Sequence, residues 1–415
     1  MRNRAKKIGF QEVASSDFGR ITVLTGARQT GKTTLVRELF KDYRYISLED
    51  PVLRPEYARL SAGRWAEEYP QAVLDEIQKA PQIIETVKAV YDESADSRYI
   101  LLGSSQILLM KQVRESLAGR CRLLELYPLT LPEMLTQSWY DAVEESRLVR
   151  WVRSGVIDQL PAVAAADERF CKASACFERY LRIGGYPALW KSDVSYDDAN
   201  EWLYDYVQTY LQRDIRDLAE IRNLEPFVLA QQVSARLTGE VLNYALLAKE
   251  SGIAAKTARR FLEYLQMSYQ VFLLQPWFRN PLKRLVKSPK LHYLDPGVQS
   301  AVSGRYGVLT GHEFESAVVA EIIKQLKNAS LRVNFYHLRT QDGREVDLLL
   351  ETDQGYYAIE IKQSRMVMPS DARHLNKLSE ILDKPLLHAF VVSNDASVKR
   401  WGERVTALPA ALMLS

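Results

Sequence analysis

Short apolar runs alternate with stretches of helical period through the first third of the chain. They fall at residues 21–24, 45–48, 73–74, 99–102 and 122–126. Continuous apolar runs of this length suit strands buried on both faces. Their alternation with helices predicts a parallel sheet covered on both sides, with a ligand at the strands' C-terminal ends. Pro128 and Pro132 close this unit. From residue 133 to 200 the pattern turns helical with few strand signals and reads as a lid or connector. Within it, Ile183-Gly184-Gly185-Tyr186-Pro187 is a helix stop and turn. A further helical stretch, 206–217, carries Arg213 and Asp214, which face either a nucleotide or solvent.

From Val241 two short helices separated by Ser251-Gly252-Ile253 precede an apolar run at 271–274, the order of a helix-turn-helix with a wing. On the second helix Ala258, Phe261, Leu262 and Leu265 share an apolar face, while Lys256, Thr257, Arg259 and Arg260 project elsewhere. Those cations suit a DNA groove, or a protein-interaction module in which Arg259 pairs with Glu263. A helix at 311–327, with Phe314, Val318 and Ile322 on one face, then leads into three strands at 333–338, 346–350 and 356–361. Turns at Asp342-Gly343 and Asp353-Gln354-Gly355 join them. These changes of pattern divide the chain into 1–136, 137–238, 239–306 and 307–415.

Two constellations carry chemistry. The first is Gly26-Ala27-Arg28-Gln29-Thr30-Gly31-Lys32-Thr33-Thr34, which fits G-x-x-x-x-G-K-[ST] and lies between a strand and a helix. Glycines let the backbone wrap a phosphate, the amides and helix N-terminus attract its charge, Lys32 reaches the β/γ-phosphates of ATP, and Thr33 holds Mg²⁺. Ala72-Val73-Leu74-Asp75-Glu76 reads as the partner strand, with Asp75 near the metal and Glu76 poised to orient or deprotonate water. Ser104 or Ser105, after the strand at 98–102, is placed to sense the γ-phosphate. Arg120, in Ser116-Leu117-Ala118-Gly119-Arg120 and preceded by Lys111 and Arg114, suits an arginine finger acting in its own subunit or in a neighbouring copy of a homo-oligomer. A solvated arginine is the alternative.

The second lies near the end. In Ile359-Glu360-Ile361-Lys362, period two puts Glu360 and Lys362 on one face. Asp347 on the neighbouring strand can share a cation with Glu360, and Glu315 sits in the first turn of the preceding helix. Two carboxylates on Mg²⁺, or on Mn²⁺, beside a lysine are what phosphodiester hydrolysis needs. The alternative is an antiparallel sheet carrying its charges on a wet face.

Composition narrows the setting. The chain of 415 residues is 47% hydrophobic, enough for several cores, and its formal net charge of +3 is too small to indicate nucleic acid by itself. A local cluster makes that case: Arg279, Lys283, Arg284, Lys287 and Lys290 occur without an acid until Asp295, opened by Trp277 and Phe278, a combination suited to phosphate contact and base stacking on double-stranded DNA. A solvated linker has the same composition. Cys121, Cys171 and Cys176 form no even framework or zinc spacing, so free thiols and a cytoplasmic location are expected. Neither a signal peptide nor a span of about 18 apolar residues appears.

The P-loop, Leu74-Asp75-Glu76-Ile77-Gln78, Leu102-Gly103-Ser104-Ser105, Ser116-Leu117-Ala118-Gly119-Arg120 and Gly184-Gly185-Tyr186-Pro187 resemble the archaeal-type AAA ATPases of bacteria and archaea. Phe314-Glu315, Glu345-Val346-Asp347 and Ile359-Glu360-Ile361-Lys362 are similar to the restriction-endonuclease-like PD-(D/E)xK domain often fused to them; Val346 stands where the motif's name has proline. The resemblance implies an α/β chain: a P-loop AAA+-type ATPase core, a helical lid, a winged helix and a C-terminal α/β nuclease-like domain. It also implies phosphate and Mg²⁺ binding at Lys32 and Thr33, hydrolysis at Asp75 and Glu76, and a nuclease-like site at Glu315, Asp347, Glu360 and Lys362. Two functions fit: an ATPase controlling a metal-dependent DNA nuclease, or an ATP-driven switch that binds DNA or a protein partner through a catalytically inactive C-terminal domain.

Overall fold

The computed structural model describes residues 2–103, 113, 115–158, 160, 168–211, 223–280, 287–340 and 343–415. The expectations for Ser104, Ser105, Lys111, Arg114, Arg213, Asp214, Lys283 and Arg284 lie outside the described residues.

Strands β1 (Ile21–Thr25), β2 (Arg44–Ser47), β3 (Gln71–Asp75), β4 (Arg98–Leu102) and β5 (Cys121–Glu125) form a sheet in the order β2-β3-β4-β1-β5. Every neighbouring pair is parallel. The central strands read as uninterrupted apolar runs because both faces are covered. One core joins Ile21, Val23 and Leu74 to Ile83, Ile84 and Val87 of helix Pro81–Glu93; the other joins Leu24, Val73 and Ile100 to Phe10 and to Leu35 and Val36 of helix Lys32–Leu39. Since parallel strands all end on one rim, the loop after β1 and the acids that end β3 arrive at the same place, with β4 between their strands.

Helices Arg147–Ser154, Glu168–Ile183, Tyr196–Tyr206 and Glu225–Arg236 follow, and no strand intervenes among the described residues before residue 271. Gly184 ends the second of these as expected: its φ is +73° and its amide donates to the Tyr180 carbonyl at 2.8 Å. Helix Tyr244–Glu250, capped by the Asn243 side chain, and helix Ala255–Met267 come next. They are followed by β6 (Val271–Pro276), antiparallel to β7 (Lys290–Tyr293).

The hairpin of β6 and β7 does not stand apart. It is continuous with β8 (Asn334–Arg339), β9 (Glu345–Glu351), β10 (Tyr356–Lys362), β11 (Leu386–Ser393), β12 (Lys399–Arg400) and β13 (Val405–Pro409) in one sheet ordered β12-β13-β11-β10-β9-β8-β6-β7. Gln275 and Pro276 pair with Tyr336 and His337, so the sheet crosses the boundary expected at residue 306. Helix Arg147–Ser154, expected within a lid, also belongs partly to this unit: Trp151 stacks on Phe390 with ring centroids 5.3 Å apart, and its carbonyl accepts from the Tyr357 hydroxyl at 3.1 Å. Periodicity shows which face of an element is apolar; it does not show what covers it.

The face of β10 that the alternative reading left wet is covered as well. Ile359 and Ile361 join the core beneath helix Gly311–Asn328, while Ala358, on the Glu360 side, joins a second core with Val367, Ala372, Leu375 and Leu378. Asp347 and Glu360 are consequently buried, with relative exposures of 6% and 5%.

Two glycine substitutions test this packing. A Cβ on Gly184 would lie 1.9 Å from Asp295 Oδ1, and the left-handed backbone there already disfavours a side chain. Gly184→Ala should therefore lose about 1–3 kcal/mol in chemical denaturation. Gly9, within helix Lys7–Ser15, meets nothing within 4 Å, and Gly9→Ala should gain about 0.4–1 kcal/mol in the same assay.

Candidate functional site

The P-loop wraps back on itself. Gly26, with φ +147°, passes so close to the end of β5 that an added Cβ would lie 2.2 Å from the Leu126 carbonyl oxygen, which only glycine permits. Lys32 Nζ donates to the carbonyls of Gly26 and Ala27 at 2.8 Å each, spanning the mouth of the loop where a phosphate would otherwise take the ammonium's hydrogen bonds. Thr33 Oγ1 donates to Asp75 Oδ2 at 2.9 Å, so the hydroxyl and the carboxylate expected to share Mg²⁺ are already neighbours. The Tyr45 hydroxyl donates to the same Oδ2; burial first, then this bond, pushes the phenol upward from its ordinary value. Glu76 sits in a left-handed turn with φ +55°, and Gln78 donates to its Oε2, which fixes the carboxylate at the rim. Arg28, Gln29, Gly31, Lys32, Thr33, Thr34, Asp75 and Glu76 together line a cavity of about 260 Å³. The donor set fits a nucleotide with its Mg²⁺: a hydroxyl, a carboxylate and an ammonium converge on one opening.

Arg120 is elsewhere. It makes a two-pronged contact with Asp92 at 2.9 and 3.2 Å, and so within this chain it does not line the P-loop cavity. Sequence reasoning missed other residues that hold the loop from outside. Arg4 is buried, donates to the Thr30 carbonyl at 3.3 Å, and pairs with Glu133 at 3.2 Å. The Tyr206 hydroxyl lies 3.2 Å both from the Arg28 carbonyl, to which it donates, and from the Tyr186 hydroxyl. Tyr186 follows the Gly184-Gly185 turn, whose Gly185 amide donates to Asp295 Oδ2 at 2.7 Å. Hydrogen bonds thus lead from the P-loop to the segment that follows β7.

Glu315, Asp347, Glu360 and Lys362 line a second cavity of about 570 Å³, which shares no lining residue with the first. Lys362 Nζ donates to Glu360 Oε1 at 2.6 Å, and the Ile361 amide donates to Asp347 Oδ2 at 2.9 Å. Burial and the neighbouring Asp347 push the Glu360 carboxyl up to about 8, and the same two causes raise Glu315.

An unforeseen cation completes the cluster. Lys290 lies 2.6 Å from Glu315 Oε1, 3.3 Å from Asp347 Oδ1 and 3.6 Å from Glu345 Oε1, with 2% of the residue exposed. Burial alone would lower this ammonium, but Glu315 and Asp347 more than reverse it, so it is held charged. The carboxylates do not fit a divalent ion in this arrangement: among the described residues no group of three or more acids, histidines or cysteines is set to hold one, and the central position is occupied by the lysine. The sequence contained one signal of this, since period two along Lys290-Leu291-His292-Tyr293 puts Lys290 and His292 together on one face. His292 is indeed buried beside Glu315, at 4.0 Å.

The expected DNA surface is correspondingly reduced. Lys290 is committed to this cluster, and Trp277 is buried, its indole donating to the Tyr356 hydroxyl at 3.0 Å. Arg279 and Lys287 remain exposed, as do Lys256, Arg259 and Arg260. Arg259 stacks over the Tyr244 ring at 4.6 Å. No helix of the described residues is long and apolar enough to cross a membrane.

Residues 19–135 match the family profile of the AAA domain. These residues are similar to AAA domains. Residues 175–307 and 310–413 match two further families, each described as a domain of unknown function (DUF8612 and DUF4143 respectively). The chain is 28% identical over 403 residues to "Uncharacterized protein Rv2008c" of Mycobacterium tuberculosis, covering 95% of this chain and 81% of that relative. It is 24% identical over 357 residues to "Uncharacterized protein MJ1544" of Methanocaldococcus jannaschii, covering 80% and 72%. Among solved structures, the Walker-type ATPase PABY2304 of Pyrococcus abyssi aligns with a TM-score of 0.45 and 14% identity over 73% of this chain and 98% of that one. The ORC2 protein of Aeropyrum pernix aligns at 0.24 and 15%, over 78% and 93%.

For the AAA domain, the close approach at Gly26 gives a direct test. Gly26→Ala must push the P-loop away from Leu126, and a fluorescent ATP analogue should bind about tenfold or more weakly, as a misplacement near 1 Å produces.

Proposed function

We propose that this protein hydrolyses ATP at its AAA domain, and that nucleotide state governs a PD-(D/E)xK-type phosphodiesterase site in residues 307–415 acting on DNA. The helices Tyr244–Glu250 and Ala255–Met267 with the β6–β7 hairpin then serve as a winged helix, presenting Lys256, Arg259 and Arg260 to the duplex. One observation carries the reading: Glu315, Asp347, Glu360 and Lys362, drawn from a helix and two strands, line a single cavity. At the P-loop, Mg²⁺ supplies charge neutralisation for the phosphates; Lys32 binds them, Thr33 and Asp75 position the ion, and Glu76, oriented by Gln78, takes the proton of the attacking water. Arg120, paired with Asp92 in its own chain, would leave that pair to act as the arginine finger of a neighbouring copy in a homo-oligomer.

A second reading has its own support. The ammonium of Lys290 among the carboxylates favours an ATP-driven switch in which the C-terminal domain binds a partner and cuts nothing.

ATP turnover separates binding from chemistry. Lys32→Ala should lose nucleotide affinity, whereas Glu76→Gln should bind ATP with near wild-type affinity and turn it over about 10²-fold or more slowly. Unchanged turnover in Glu76→Gln would remove that residue's assigned role. Plasmid nicking with Mg²⁺ or Mn²⁺, with and without ATP, decides between the readings. Cleavage that Asp347→Ala abolishes while ATP hydrolysis persists supports the first; no cleavage under any of these conditions, or cleavage that Asp347→Ala retains, leaves the switch.

A further inference from the structure

The C-terminal cluster carries more acids than its cations balance. Five carboxylates, Glu315, Glu345, Asp347, Glu360 and Asp371, line the cavity, against the three cations Lys290, Lys362 and Arg373. Lys362 is committed to Glu360 at 2.6 Å, and Lys290 faces Glu315, Glu345 and Asp347, with His312 3.9 Å from the other oxygen of Glu315. Among the described residues Glu360 Oε2 is buried without a hydrogen-bond partner. The ammonium enters from outside the strands that carry the acids. Lys290 opens β7, paired with Leu274 on one side and bridged to Val241 on the other, whereas Asp347 and Glu360 lie on β9 and β10.

We infer that Lys290 is a built-in cation: it occupies the position between Glu315 and Asp347 that a divalent metal would take, so that the metal and the lysine compete for the same carboxylates. A hard divalent ion and an ammonium both seek clustered carboxylate oxygens, but the ion draws them to about 2.0–2.6 Å, closer than any N–H···O contact. Both cannot sit among the same oxygens. Lys290 also keeps the acids from repelling one another when no metal is present, which makes the empty cluster tolerable to the fold. Entry of the metal requires only that the lysine side chain swing out, since its backbone is fixed on both sides by β6 and by the 239–242 segment. The inference rests on reading Glu315, Asp347 and Glu360 as a metal-type site, and it holds whether or not that site cuts DNA.

The test is Mn²⁺ binding to the full nucleotide-free chain, followed by the electron paramagnetic resonance signal of free Mn²⁺. Lys290→Met and Lys290→Gln should each bind one more Mn²⁺ than wild type in the same concentration range, or bind it about tenfold or more tightly. Asp347→Asn added to either should abolish that gain. Equal titrations of wild type and both variants, or a gain that survives Asp347→Asn, would overturn the inference. Should neither variant fold, the wild-type chain decides through acylation of lysines mapped by peptide mass. Lys290 should be protected without metal and become reactive at saturating Mn²⁺, while exposed Lys377 reacts equally in both. Lys290 that stays protected at saturating Mn²⁺, or reacts like Lys377 throughout, would overturn it. Metal binding by Lys290→Met without DNA cleavage leaves the inference standing and removes the nuclease reading; no metal binding removes the inference whatever the cleavage assay gives.

Discussion

A charge taken out of water has to find its partner inside the protein, and helix Gly311–Asn328 carries four such charges: Glu313, Glu315, Glu321 and Lys324. Some partners lie on the helix itself and others on distant parts of the chain. Glu313 accepts from the Thr310 amide at its own N-terminus and from Gln299. Glu315 meets Lys290 at the hairpin, and Glu321 accepts from the Leu131 amide just beyond the AAA sheet at 2.6 Å. Lys324 pairs with Glu321 at 2.8 Å and donates to the Leu129 carbonyl and the Tyr180 hydroxyl. Removing one member of such a set strands the other in a place water cannot reach, so the helix fixes the C-terminal sheet, the middle helices and the exit of the AAA domain relative to one another.

That constraint changes how the domains are to be understood. The boundaries drawn from pattern separate 239–306 from 307–415, and the family matches end and begin at nearly the same place. Physically the two share a sheet and a core that runs from Leu129 to Leu414. The AAA sheet keeps its own two cores. The architecture is thus a nucleotide-binding sheet attached to a single larger body, with Arg4, Tyr206 and Glu321 among the polar residues at the junction.

Much of this was legible in the sequence, and the reason is locality. The P-loop and the acids ending β3 were found because their chemistry depends on spacing within a few residues, and β8, β9 and β10 fall within a residue or so of their expected ends because turns and alternation are local signals. Lys290, Trp277 and Arg4 were misjudged or missed for the opposite reason. Lys290 meets Asp347 57 residues away, Trp277 meets Tyr356 79 residues away, and Arg4 meets Tyr127 123 residues away. A buried cation and an exposed one look alike in a sequence until the acids around it are placed. Helix Gly311–Asn328 shows the same limit: its apolar stripe was visible, but Glu313, Glu315, Glu321 and Lys324 on its other faces are buried too, and tertiary partners are needed to explain them.

The proposed nucleotide control of the carboxylate cluster runs from Arg28 through Tyr206 and Tyr186 to the Gly184-Gly185 turn and Asp295, just after the β7 strand that opens with Lys290. Amide hydrogen exchange with and without a slowly hydrolysed ATP analogue tests it most directly. Nucleotide should alter exchange at residues 290–295 and in the first turns of helix Gly311–Asn328 as well as at the P-loop. Changes confined to residues 19–135, with β7 and that helix exchanging identically in both states, would contradict it.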